Sequence, residues 1–196
     1  MKSEKQMLKF PNSNNNSGPW ARLDARTGIL FISSSDGDKQ AVDLKGKVIA
    51  LDIQNATQGW LAVDAAGADW HPVNGAWGNP PSENHKPGVD LRIYSANAFG
   101  DSPIRAMRGN SRGFTGFISE VEERVLAALD GNQAPAGTWP TIKINAVTVV
   151  KAGQGSTISV GFTLAPIDKW ASPEVASAPA KAAPVAKTAV MADEEF

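Results

Sequence analysis

The chain has 196 residues, of which 20 are acidic and 19 basic, and it contains two histidines and no cysteine. The lack of cysteine excludes disulfides, thiolate catalysis and zinc sites with cysteine ligands. A nearly neutral chain does not indicate nucleic-acid binding by its bulk charge, so any cationic surface must be local. No apolar stretch follows the first lysines as in a signal peptide, and none approaches the length of a membrane span. We therefore predict a soluble cytoplasmic protein without membrane partners.

Composition and length predict one folded domain between two flexible ends. Residues 1–19 are polar and rich in asparagine, which is typical of a flexible N-terminal arm. Residues 20–170 are long enough to bury a core of their own. Residues 171–196 begin with an Ala/Pro-rich stretch that has few large apolar groups, so we expect a disordered linker and tail there.

Alternation of apolar and polar residues predicts a mainly β domain with one helix. The predicted strands are 28–33, 47–54, 60–64, 89–95, 141–151 and 155–164. Between the third and fourth strands lies a segment rich in Gly, Pro and Asn, 65–88, which we expect to be a long loop. In the third strand, Leu61 and Val63 are expected to face inward and Trp60 outward.

The helix is predicted over residues 119–130. Ser119 and Glu122 fit a capping box at its start, and Gly131 is a natural stop at its end. Its apolar stripe consists of Ile118, Val121, Val125 and Leu129. A late helix followed by a closing hairpin favours an OB-fold-like five-stranded barrel, with the helix in the connection before the last two strands. A sandwich with an accessory helix is the alternative.

Aromatic and arginine side chains cluster on faces and loops that this pattern turns toward solvent. Trp60 lies on the polar side of its strand, and Tyr94 shares a face with Arg92. Rings stack on bases for about 1–3 kcal/mol each while guanidinium groups track phosphates, as sequence-tolerant binding of single strands requires. The candidate DNA-binding residues are Trp60, Trp70, Trp77, Arg92, Tyr94, Phe99, Arg105, Arg108 and Arg112. We assign three further tryptophans, which stand beside prolines or at domain edges, to packing: Trp20, Trp139 and Trp170.

Two short motifs place a carboxylate two residues before a histidine: Asp69-Trp70-His71 and Glu83-Asn84-His85. Together they could offer two imidazoles and two carboxylates to a metal ion. Because the shared spacing is short and falls in a predicted loop, we expect instead that both histidines are exposed or bonded to the backbone, and that no metal or other cofactor binds. The chain lacks Walker, GxGxxG, GxSxG and HExxH motifs, so we predict that it is not an enzyme.

The chain ends in three carboxylates and an aromatic ring: Asp193, Glu194, Glu195 and Phe196. On an Ala/Pro tether, this acidic tip favours docking into a basic, apolar-lined pocket of a partner or into the protein's own cationic groove. A solvated tail without function is the alternative.

An OB-like β domain, a Pro/Ala-rich tether and the ending Asp193-Glu194-Glu195-Phe196 resemble the single-stranded DNA-binding proteins of tailed bacteriophages and bacteria. The phage proteins in particular often end in an acidic run closed by phenylalanine. The resemblance implies a protein that coats single-stranded DNA with little sequence preference during DNA replication and recombination. It also implies recruitment of a polymerase, helicase or nuclease through the acidic tip, in the host cytoplasm if the chain is phage-encoded.

Two other classes of function remain open from the residues alone. The first is a phage structural or protein-interaction β module that does not bind nucleic acid and whose aromatic residues belong to the core. The second is a small metal-dependent enzyme built on the two carboxylate-x-His motifs.

Overall fold

The computed structural model describes residues 19–33, 38–64, 67–153 and 155–173. Residues 1–18 of the predicted arm (1–19) and residues 174–196 of the predicted linker and acidic tip (171–196) lie outside the described residues. Within the described stretches, no helix combines the length and the hydropathy needed to cross a bilayer.

The described chain is mainly β with one α-helix, which confirms the predicted class. The strands in chain order are β1 Trp20–Leu23, β2 Leu30–Ser33, β3 Lys39–Val42, β4 Val48–Leu51, β5 Thr57–Asp64, β6 Gly67–Pro72, β7 Lys86–Tyr94, β8 Ile104–Gly109, β9 Thr141–Ala152 and β10 Gly155–Leu164. The helix, α1, spans Arg112–Leu129 and precedes the last two strands, also as predicted. A five-stranded barrel is not confirmed, because ten strands form one curled sheet in the described residues.

The sheet runs in the order β10-β9-β4-β7-β8-β1-β2-β3, and a hairpin of β5 and β6 branches from β7. The long strand β7 makes this branch possible. Its first half pairs with β5 and its second half with β4, while its other edge pairs with β8. All pairs are antiparallel except β1 with β8. Residues of the β5–β6 hairpin therefore lie close to β1 and β8, and they line a groove together with residues of these two strands.

The core lies on one side of the sheet, under α1. The helix buries an apolar stripe that consists of Phe114, Phe117, Ile118, Val121 and Val125. At its first turn α1 comes close to β10, where the backbone N–H of Gly113 donates to Thr157 Oγ1 at 2.8 Å. A Cβ at Gly113 would collide with the carbonyl oxygen of Ile158, so only glycine permits this approach.

The helix begins seven residues earlier than the sequence predicts. Its N-cap is Ser111, whose Oγ accepts the backbone N–H of Phe114 at 3.2 Å, so the predicted capping box at Ser119 is wrong. The glycines of the first two turns masked this start, because glycine lowers helix propensity while burial of the Phe114 and Phe117 rings compensates for it. The predicted end is confirmed: α1 stops at Leu129 and Gly131 follows with a positive φ of 80°.

The segment predicted as one long loop, 65–88, contains β6 and the start of β7. Strand β6 pairs with β5 so that Trp70 lies opposite Leu61, and both side chains are buried. Gly59 makes room for the Trp70 indole, since a Cβ there would lie 2.8 Å from its Cζ2 and Cη2. Beyond this contact the hairpin leaves the core, and Val63, predicted to face inward, is exposed.

Candidate nucleic-acid interface

Strands β1, β2, β7 and β8 have two chemically different faces. Alternate residues such as Ala21, Ile32, Leu91 and Met107 are buried in the core. The residues between them are half-buried or exposed and form what we call the outer face. Its ring and guanidinium side chains are Trp20, Arg22, Phe31, Arg92, Tyr94 and Arg108.

The register of the strands brings these side chains into neighbouring rows. Trp20 and Arg92 both lie opposite Ala106, one on each side of it, and Arg22 lies opposite Phe31. Residues directly opposite on neighbouring strands have Cβ atoms about 4.5–5.5 Å apart. The outer face therefore places Arg22 beside Phe31, and Trp20 and Arg92 on either side of Ala106.

Arg92 is held in place by two neighbours. Its Nη2 donates to Asp52 Oδ2 at 2.7 Å and its Nε donates to the same oxygen at 2.9 Å. The guanidinium carbon also lies 4.9 Å from the centre of the Trp139 ring. Asp52 is 2% exposed, whereas the Arg92 side chain is 46% exposed. The buried carboxylate therefore orients the cation without removing it from solvent.

Arg108 has a similar environment nearer the β5–β6 hairpin. Its Nε donates to Asp90 Oδ2 at 2.8 Å, and its guanidinium carbon lies 5.8 Å from the centre of the Trp70 ring. Trp70 is thus a buried support for the cation, while Asp90 fixes its orientation.

A groove of about 690 Å³ adjoins the outer face, with the β5–β6 hairpin as its wall. Two aromatic residues, Trp20 and Phe31, line it together with four cationic side chains and two carboxylates. The cations are Arg22, Arg26, Lys39 and Arg108, and the carboxylates are Asp24 and Asp64. We call this feature the basic groove.

Three cations of the basic groove are available to an anionic ligand. Arg22, Arg26 and Lys39 are exposed, and within the described part of the chain none has a carboxylate at ion-pair distance. Asp24 is already engaged, because its Oδ1 accepts the backbone N–H groups of Arg26 and Thr27. The groove therefore has an excess of positive charge.

Sequence reasoning missed most of this groove. The sequence pattern assigns Trp20 to packing, and it does not single out Arg22, Arg26, Phe31 or Lys39. The signal was present in the order Trp-Ala-Arg-Leu of β1, where a ring and a cation alternate with two core residues. Four residues are too few for that alternation to be distinguished from chance.

Phe99 and Arg105, two of the predicted DNA-binding residues, lie in the core. Phe99 is 0% exposed and Arg105 is 2% exposed. Arg105 Nη1 donates to the carbonyl oxygen of Ser33 and Nη2 to that of Phe99, both at 2.6 Å. Burial lowers the pKa of Arg105 from its ordinary value, and Asp101 at 3.7 Å acts in the opposite direction. This guanidinium ties the turn after β7 to β2 and is not accessible to a ligand.

The remaining predicted residues are not joined to the outer face. Trp60 and Trp77 pack edge to face with their ring centres 4.9 Å apart, and Trp60 alternates with Leu61, which lines the basic groove. The two rings therefore lie on the opposite side of the hairpin. Arg112 is exposed at the first residue of α1. Trp139 and Trp170 are buried, as predicted.

The two histidines are neither isolated nor bonded only to the backbone. The ring nitrogens of His71 and His85 both lie near the carboxylate of Asp69, and these three residues are the described group with metal-ligand spacing. Glu83 does not take part. His71 is exposed, as the sequence predicts, but the prediction is wrong for His85, which is buried and contacts the side chains of Ser82 and Asp69.

Comparisons with known proteins assign no relative. No family model matches the chain, and neither does any curated protein or solved structure.

Proposed function

We propose that this protein binds single-stranded DNA with little sequence preference, through the outer face and the basic groove. The observation that carries the proposal is the row arrangement of Trp20, Phe31 and Tyr94 among Arg22, Arg92 and Arg108. Each base of a single strand has a π-face that stacks on such a ring, and each phosphate can meet a guanidinium.

The shape of the site favours a single strand over a duplex. The rings and cations belong to a sheet face walled by a hairpin, and α1 packs on the opposite, core side of the sheet. The described chain thus presents no helix here to enter a major groove and read base edges. Stacking on rings requires bases that are already unpaired. This is the physical basis for proposing sequence-tolerant coating of single strands. That the coating serves replication or recombination in the cytoplasm is the part of the proposal that the resemblance to phage and bacterial single-stranded DNA-binding proteins implies.

We further propose that residues 20–170 are an elaborated OB-like domain. In support, a helix precedes the last two antiparallel strands, and β9 returns to pair with β4 near the start of the sheet. The additional strands β1, β2 and β3 extend the sheet, and β1 and β2 supply three of the six ring and guanidinium side chains of the outer face.

Binding is expected to depend on rings of the outer face. Tyr94→Ala and Phe31→Ala should each reduce affinity for oligo(dT) by about 1–3 kcal/mol, or roughly 5–150-fold, because each removes one stacking surface. Fluorescence anisotropy of a labelled oligo(dT), at two salt concentrations and with a duplex competitor, measures this. Thermal melts of each variant show whether the fold survives.

Trp60→Ala is the matched control, because it removes a half-buried ring from the other side of the hairpin. We expect Trp60→Ala to bind oligo(dT) within about twofold of the wild-type affinity. It should also lose less stability than the roughly 3–5 kcal/mol that removal of a core ring costs, because the Trp60 ring is only half-buried. If wild-type protein binds no oligo(dT) even at low salt, the proposed function is wrong. The protein-interaction module then becomes the better hypothesis.

The acidic tip is proposed to compete with DNA and to recruit a replication or recombination protein. The described chain ends near the outer face, since the backbone N–H of Trp139 donates to the carbonyl oxygen of Ala171 at 2.7 Å and the Trp139 ring adjoins Arg92. About twenty residues separate Pro173 from Asp193, a length that spans up to roughly 70 Å. The tip can therefore reach the basic groove.

Removal of residues 193–196 should raise DNA affinity, most at low salt, because the three side-chain carboxylates of the tip no longer compete with phosphates. Phe196→Ala retains the charge, so it should leave DNA affinity nearly unchanged and weaken only the partner contact. Anisotropy titrations of both variants at low and moderate salt measure the difference. Unchanged or reduced affinity of the truncated protein at low salt would refute the competition.

A further inference from the structure

We propose that Asp69, His71 and His85 bind a divalent transition-metal ion of the zinc class. The site lies on the side of the β5–β6 hairpin away from the basic groove. It is independent of the proposed DNA binding, because none of its ligands lines the groove or belongs to the outer face.

The three side chains already have nearly the spacing that a metal requires. Asp69 Oδ2 lies 3.3 Å from His71 Nε2 and 3.2 Å from His85 Nε2. The three ligand atoms all lie within 4.8 Å of one another. A tetrahedral zinc ion with bonds of about 2.0–2.1 Å has edges of about 3.3 Å between its ligand atoms. The two edges that meet at Asp69 Oδ2 therefore match, and the third, between the two imidazoles, can adjust by movement of the exposed His71 side chain.

A further contact prepares His85 to act as a ligand. Ser82 Oγ lies 2.8 Å from His85 Nδ1, while Nε2 of the same ring points at Asp69. When Nδ1 carries the proton and donates to the hydroxyl, Nε2 presents its lone pair, as metal ligation needs. His85 is 6% exposed, so the surrounding loop fixes the ring in this orientation.

The donor set indicates which ion would bind and what the site would do. Two imidazoles and one carboxylate suit Zn²⁺, Co²⁺, Ni²⁺ or Cu²⁺ and do not suit Ca²⁺ or Mg²⁺, which prefer oxygen ligands. Asp69 and His71 are exposed, so a fourth position is open to water. The ion would tie residues 73–85 to β6. Because that segment carries Trp77, which packs on Trp60, the ion would also hold this pair of rings together.

The test is calorimetric titration of Zn²⁺ into full-length protein first treated with a chelator, without DNA. We expect one bound ion per chain and a rise of several degrees in the melting midpoint. Asp69→Asn and His71→Ala alter exposed side chains, so the fold should survive. Because each variant removes a direct metal ligand, its Zn²⁺ affinity should fall by more than about 100-fold. Loss of a residue that only contacts a ligand costs about 10–100-fold. Ser82→Ala removes such a contact, the one to His85, so its Zn²⁺ affinity should fall by about 10–100-fold.

Glu83→Gln is the matched control, because Glu83 is a nearby exposed carboxylate that lies outside the cluster. It should bind Zn²⁺ as wild type does, and a Co²⁺ complex of either protein should show the visible absorption of a tetrahedral site. Absence of Zn²⁺ binding in the wild type would overturn the proposal. So would binding that persists in Asp69→Asn and His71→Ala, which would make the ion adventitious. Neither outcome bears on oligo(dT) binding, which is measured separately.

Discussion

Replacing Arg22, Arg26 and Lys39 together by alanine is expected to weaken binding of oligo(dT) by roughly 100-fold at 0.1 M salt. Each phosphate contact on a single strand contributes about 0.7 to the slope of log K against log salt, so three contacts contribute about 2. The slope should therefore become shallower by about 2, and the two proteins should converge near 1 M salt. These three cations are chosen because they line the basic groove and have no ion-pair partner among the described residues.

The matched control replaces Lys45, Lys143 and Lys151, which are equally exposed but do not line the basic groove. It changes the net charge by the same amount, so a general loss of electrostatic attraction would affect both variants alike. Anisotropy titrations over a series of salt concentrations give the slopes. If both triple variants lose the same affinity, or if neither changes the slope, the basic groove is not the interface.

Arg105→Ala is expected to destabilise the fold by about 3–5 kcal/mol and to lower the melting midpoint by roughly 10 °C. The substitution removes a buried guanidinium that satisfies the carbonyl oxygens of Ser33 and Phe99. Each unsatisfied buried acceptor costs about 1–3 kcal/mol, and the cavity adds to that cost. Arg105→Lys should lie between the wild type and Arg105→Ala, because one ammonium cannot repeat the two-pronged contact.

Arg112→Ala is the control for Arg105, since it removes an exposed arginine seven residues along the chain. Its stability should stay within about 0.5 kcal/mol of the wild type. Chemical denaturation and thermal melts of both variants provide the comparison. An Arg105→Ala protein with wild-type stability and lost DNA affinity would return Arg105 to the interface and contradict its structural role.

Local sequence determined the regular parts of this fold. The sequence predicts the closing hairpin of β9 and β10 within one residue at its ends, because two long β-forming segments with a glycine turn between them specify a hairpin strongly. The alternation of Leu91 and Ile93 with Arg92 and Tyr94 likewise fixed which side chains of β7 enter the core. The stop at Gly131 depended on one residue that adopts a positive φ readily.

Tertiary structure alone decided how the site is assembled. Trp20 joins the outer face because β1 pairs in parallel with β8, a contact between residues 20 and 106 that no local pattern encodes. Arg105 and Arg108 face opposite sides of the sheet because they lie three residues apart in β8, and the pairing with β7 then decides that Arg105 lies opposite Ile93 in the core and Arg108 opposite Asp90 on the outer face. Asp69, His71 and His85 meet because residues 73–85 fold back onto the β5–β6 hairpin. Sequence periodicity indicates which side chains share a face of a strand. Long-range pairing decides whether another element covers that face, and therefore whether a ligand can reach it.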